Sequence, residues 1–190
     1  MHNCMEIIWI HLCFDSNILK MSRYILAFLV IGLYSCKKKH DIIKYIEKRD
    51  KMIKKASLED LEEVYQLMCI LENKELNKEH FTQVYKQCLE NSDLVYLVYK
   101  EDKVLGFISF IVHHYMHHDK DTGEIIELVV LPEYRSQHIG DRLIREIERV
   151  AVERNLEQIE LSTSTYRKDA HRFYENHGYV KDHYNYTKNL

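Results

Sequence analysis

A single proline, Pro132, stands among 190 residues, and it separates the most strand-like run of the chain from its most helix-like one. Upstream, Glu124 to Leu131 is almost continuously apolar; downstream, Asp141 to Asn155 repeats Leu143, Ile144, Ile147, Val150 and Ala151 at three- and four-residue steps. A strand entering a proline turn and then an amphipathic helix is the building unit of a sheet flanked by helices. With only five Gly beside that one Pro, the chain lacks the short sharp turns that an all-β sandwich needs. The sequence predicts an α/β (α+β) domain.

Other segments fit the same architecture. Ser57-Leu58-Glu59-Asp60 is a plausible helix start, followed by Leu61, Val64, Tyr65, Met68 and Leu71 on one face. A second helix is expected from about His80 to Glu90. Leu94 to Tyr99 and Val104 to Val112 read as a hairpin joined at Glu101-Asp102-Lys103. A further strand, Gln158 to Ser164, leads to a helix over Lys168 to His177, stopped by Gly178. Residues Tyr179 to Lys188 are expected to close the sheet.

Charge divides the chain at Met52. Residues 1–51 hold 9 Lys/Arg against 5 Asp/Glu, and residues 52–190 hold 18 against 25, so the body is acidic. It has no basic stripe to neutralise phosphates, which excludes nucleic acid as the main partner. The cysteines (Cys4, Cys13, Cys36, Cys69, Cys88) are odd in number and lack metal-type spacing, which suits buried thiols in a reducing, cytoplasmic compartment. Tyr24 to Cys36 is an uncharged run of 13 residues, short of the roughly 20 that span a bilayer but of signal-segment length. Leu33-Tyr34-Ser35-Cys36 loosely resembles a lipoprotein cleavage box. Residues 1–51 are therefore read as an extension without a role in activity, including sequence upstream of a true start at Met52, as a membrane-targeting or anchoring segment, or as a packed amphipathic addition. Residues 52–190 form the expected domain.

The chemistry concentrates after the strand. Arg135-Ser136-Gln137-His138-Ile139-Gly140 runs directly into a helix, whose first N–H groups have no intrahelical partner and favour an anion. Arg135 adds positive charge and Gly140 removes a side chain, so the loop suits a diphosphate. Arg135, His138 and Gly140 fall on the acetyl-CoA loop pattern of the GCN5-related N-acetyltransferase (GNAT) family, which the chain resembles. It departs from that pattern at His138 and Ser136, where glycine is preferred. Ala170-His171-Arg172-Phe173-Tyr174-Glu175-Asn176-His177-Gly178-Tyr179 resembles a second block of the family. Arg167 stands where many members have Asn, so that contact is not carried over.

The resemblance implies a mixed, mostly antiparallel, twisted sheet of about six to seven strands with about four helices, splayed at the acetyl-CoA site. It implies cofactor contacts at Leu128, Val129, Val130, Arg135, Ser136, Gln137, His138, Ile139, Gly140 and Asp141. A strand N–H near Val130 would hold the thioester oxygen, Glu127 would accept the amine proton, and Tyr174 would protonate the departing thiolate. Gly123 to Val130, Glu160 to Ser164, Asp169 to Tyr174 and the ending Tyr186 to Lys188 resemble the aminoalkylphosphonate N-acetyltransferase branch, which implies a small aminophosphonate acceptor and a divalent metal. Homodimers are common in the family.

His113-His114-Tyr115-Met116-His117-His118 lies between two strands. On an extended chain His113 and His117 share one face, and His114 and His118 the other. The plain reading is a solvated hairpin end. The others are a metal pair, His114 with His118, helped by Glu124 or Glu127, and an anion-receiving group of His113, His117 and Arg172 with His171. His80, His177 and His183 are read as structural or exposed. The leading function is an acetyl-CoA-dependent N-acetyltransferase for a small primary amine; the alternatives are a peptide N-acetyltransferase and a non-catalytic acetyl-CoA-binding module.

Overall fold

Runs rich in β-branched and aromatic residues pair into a sheet, and amphipathic runs cover both of its faces. In the computed structural model, which describes residues 52–189, the strands are β1 (Ile53–Lys55), β2 (Leu94–Lys100), β3 (Val104–His113), β4 (Thr122–Val130) and β5 (Ile159–Leu161). The helices are α1 (Leu61–Glu72), α2 (Lys78–Leu89), α3 (Ile139–Glu153) and α4 (Lys168–Asn176). Short 3-10 turns at Leu58–Asp60 and Pro132–Tyr134 lead into α1 and out of β4. The apolar run at residues 24–36 and the Cys36 box lie outside the described residues. Within them, no helix is long and apolar enough to cross a membrane.

The strands lie in sequence order, antiparallel from β1 to β4, and β5 is parallel to β4. One face buries Ile108, Phe110, Ile125, Leu143, Ile144 and Ile147 under α3. The other buries Val98, Phe107 and Val129 under Val64, Leu67 and Tyr85 of α1 and α2. Each helix turns its apolar stripe inward, and the paired burial supplies most of the stabilisation.

Two expectations are corrected. The described residues form five strands rather than six to seven, and residues 179–188 do not close the sheet. Tyr179 packs on the α3-side cluster, but beyond it Val180, Tyr184 and Tyr186 are 80 %, 85 % and 89 % exposed. β5 is also shorter than the run Gln158 to Ser164. It pairs only Ile159, Glu160 and Leu161 with Gly123, Glu124 and Ile125. Cys69 and Cys88 are free thiols, half-buried rather than buried.

Candidate active site

The short β5 creates the site. β4 continues five residues past its last rung with β5, so its far end faces a gap on that side. Along an antiparallel ladder, residues alternate between bonding the neighbour and facing away from it. Leu131 N–H donates to the Leu105 carbonyl at 2.9 Å, and the register pairs Val129 with Phe107 and Val130 with Gly106. Alternation therefore turns the N–H groups of Val130 and Leu128 toward the gap. Arg135 Nε donates to the Val130 carbonyl at 3.2 Å, which fastens the following loop to the strand end.

That loop takes its shape without glycine at its two demanding positions. Ser136 and His138 adopt φ values of 62° and 61°, in the left-handed region. Successive N–H groups around such residues form an anion-binding concavity, here at the start of the 15-residue α3. His138 Nδ1 lies 3.0 Å from Asp141 Oδ2, and His177 Nε2 lies 3.1 Å from Asp141 Oδ1. His177 Nδ1 is 2.7 Å from the Phe173 carbonyl oxygen. The Asp141 side chain thus ties loop to helix, and any part it takes in holding a pyrophosphate is through its backbone N–H. A Cβ at Gly140 would come within 3.2 Å of Phe173 Cζ, so this glycine also lets the α4 ring lie against α3. Gln137 and Ile139 lie in the same loop and first turn, the former exposed and the latter buried.

Glu127 stands on the α1/α2 face of β4, opposite Ser109. The Ser109 hydroxyl accepts the Glu127 N–H at 3.0 Å and donates to its carboxylate, which fixes the side chain. The pair is the last rung of that register, since Ile126 is an extra residue between the rungs Ser109↔Glu127 and Phe110↔Ile125. Burial, with the charge of Glu72 added, pushes the Glu127 carboxyl up to about 7. Tyr174 packs on the opposite, α3-side cluster, edge-on to Phe173 and Tyr179. Burial raises its phenol to about 12, against a smaller lowering by Arg167.

The histidines gather elsewhere. His113 Nε2 lies 2.9 Å from Glu124 Oε2, four residues along β3 from Ser109, or about 13 Å. His114 faces Asp121 at 2.8 Å and His118 faces Glu157 at 3.4 Å, so the two do not meet. Tyr115 stacks between His113 and His117. Among the described residues no group of three or more His, Cys, Asp or Glu side chains could hold a metal ion. His114 and His118 are thus held by separate carboxylates and form no such group among the described residues. Arg172 is exposed on Asp169 rather than joined to His113 and His117.

Ser109, His177, Glu72 and Arg167 were absent from the expected site. Ser109 carried a signal, as a hydroxyl within an apolar strand. Arg167 carried one as a departure from the family pattern.

A strand end left unpaired beyond β5, beside a loop at a helix start, agrees with the family model that matches residues 59–179, the acetyltransferase (GNAT) family. The chain belongs to the GNAT family. It is 39 % identical over 139 residues to the aminoalkylphosphonate N-acetyltransferase of Salmonella typhimurium, covering 73 % of this chain and 90 % of that protein. Solved structures share the fold. A transcriptional regulator from Bacillus halodurans C-125 superposes with a TM-score of 0.68 at 21 % identity, covering 73 % of this chain and 98 % of that one. An aminoglycoside N-acetyltransferase in complex with CoA gives 0.65 at 15 % identity, covering 73 % and 93 %. The chain is accordingly a GNAT-type N-acetyltransferase, a family that uses acetyl-CoA.

Proposed function

We propose that residues 52–190 transfer the acetyl group of acetyl-CoA to the primary amine of a small aminoalkylphosphonate. The relationship to the Salmonella enzyme supports the substrate class, and the desolvated carboxyl of Glu127 on the free end of β4, with the partly buried phenol of Tyr174, supports the chemistry.

The loop Arg135–Gly140 and the first turn of α3 hold the pyrophosphate through backbone N–H groups. The exposed N–H of Val130 meets the thioester oxygen and stabilises the negative charge that develops there as the amine attacks. An ammonium has no lone pair, so the amine must first lose a proton. Glu127 takes it, and a carboxyl that titrates near 7 is suited to that task near neutral pH. Tyr174, protonated throughout the working range, gives its proton to the thiolate as the C–S bond breaks. The nitrogen gains the acetyl carbon and loses two protons: the ammonium proton goes to Glu127 before attack, and the second leaves to solvent as the C–S bond breaks and the sulfur takes the Tyr174 proton. Solvent returns both side chains to their starting states.

The test is thiol release by residues 52–190 with acetyl-CoA and a panel of amines: aminomethylphosphonate, 2-aminoethylphosphonate, polyamines, aminoglycosides and a peptide N-terminus, with and without divalent metal. Selective turnover of the phosphonates is expected. Selective turnover of the peptide would replace the substrate assignment.

A further inference from the structure

Arg167 crosses the site. It lies at the start of α4, on the β5 side of the gap, yet its Nη2 donates to the Leu71 carbonyl at 2.9 Å and approaches Glu72 Oε1 at 3.3 Å, at the end of α1. Residues 96 apart in sequence are thereby joined across the open side of the sheet. The guanidinium also sits 5.8 Å over the Tyr166 ring. Its side chain remains 29 % exposed, so an incoming group can reach it.

The charges around Arg167 are arranged in sequence. Glu72 touches Arg167 on one side and acts electrostatically on Glu127 on the other; Arg167 acts likewise on Tyr174. Glu127 thus lies in the field of a second carboxylate, and Tyr174 in that of the guanidinium. A simple alkylammonium would be drawn by the carboxylates and repelled by the guanidinium. A zwitterion satisfies both: its ammonium lies toward Glu127 and Glu72, and its oxyanion lies toward Arg167.

We infer that Arg167 is the specificity-determining residue that receives the oxyanion of the acceptor, so that the site takes small amines carrying a phosphonate or carboxylate. This rests on the acceptor reading above and names the residue that enforces it. The donor geometry permits the role. Both bonds from Arg167 to α1 use Nη2, Tyr166 takes a further side-chain hydrogen bond, and a guanidinium's five N–H donors in a planar fork leave others for an oxyanion. Its bond to Leu71 holds that fork in place before substrate arrives, which lowers the entropic cost of binding. His113, His117 and Arg172, by contrast, do not converge on this opening.

Kinetics of the wild type, Arg167→Gln and Arg167→Lys on 2-aminoethylphosphonate, β-alanine and propylamine test the inference. Arg167→Gln should lower kcat/KM for the phosphonate by about 10- to 100-fold, mainly through KM, while propylamine changes less than about threefold. Arg167→Lys should recover part of the loss, since it keeps the charge but not the fork. The β-alanine arm shows whether a planar carboxylate serves as well as a phosphonate. Equal losses on phosphonate and propylamine would overturn the inference and leave Arg167 as a strap between α4 and α1.

A readout without turnover separates this from the acceptor reading. The CoA-saturated wild type should bind methylphosphonate in calorimetry, and Arg167→Gln at least about tenfold more weakly with CoA affinity unchanged. Equal methylphosphonate binding by both proteins, or none by either, overturns the anion site. Failure to acetylate any amine while methylphosphonate still depends on Arg167 counts against the acceptor reading alone.

Discussion

His138 and Ser136 hold the loop in the left-handed region with ordinary side chains, which costs about 1–2 kcal/mol each relative to glycine. His138 offsets part of this through Asp141, and an imidazole tolerates that conformation better than a β-branched side chain does. Substitution by glycine should therefore change CoA affinity less than about threefold. Substitution of either residue by valine should weaken it by about tenfold or more in calorimetry, since valine drives the backbone out of the shape that aims the N–H groups. Equal effects of glycine and valine would mean that the side chains, not the backbone, matter. At the other end of the reaction, Tyr174→Phe keeps the ring packing on Phe173 and Tyr179 and removes only the proton donor. Thiol release should fall by about 10²- to 10⁴-fold with CoA binding retained, and an unchanged rate would remove Tyr174 from the mechanism.

Between elements, the opening depends on how β4 leaves β5. Gly123 stands at their first rung, and a Cβ there would lie 2.0 Å from Phe110 Cζ and 3.0 Å from Leu156 Cδ1. Phe110 is fully buried and has little room to move. Gly123→Ala should thus destabilise the fold by about 1–3 kcal/mol in urea unfolding, and a neutral result would mean that β4 shifts freely against the core. The helices and the long strands were legible in the sequence because each carries a strong period: Leu143, Ile144 and Ile147 define α3, and residues 94–99 and 104–112 define the hairpin. The sheet edges were less so. Three residues of β1 hold no pattern, β5 fills only part of the run Gln158 to Ser164, and the bulge at Ile126 appears only once β3 and β4 are paired. Glu127 and Tyr174 are candidates because they fall in motif blocks. Arg167 on Leu71 was not legible, because no local pattern encodes a bond between residues so far apart.

For the whole domain, activity and stability pull in opposite directions through one carboxyl. In the proposed mechanism Glu127 must be unprotonated to accept the amine proton, so kcat/KM should rise with pH through about 7, while Tyr174, pushed up to about 12, stays protonated over the same range. The stability effect has the other sign. The folded state holds the Glu127 proton up to about 7, whereas the unfolded chain releases it near the ordinary 4.5. Between those values the folded state binds more protons, and its stability falls as pH rises, by at most about 3 kcal/mol in all. Above 7 both states are ionised and the loss is complete. Glu127→Gln removes the titration, so urea unfolding should show the variant more stable than the wild type at pH 8 and little different at pH 4. The same variant should lose about 10²- to 10⁴-fold in turnover. A stability difference of equal size at both pH values would mean that Glu127 is not desolvated in solution, and its fitness as the base would go with it.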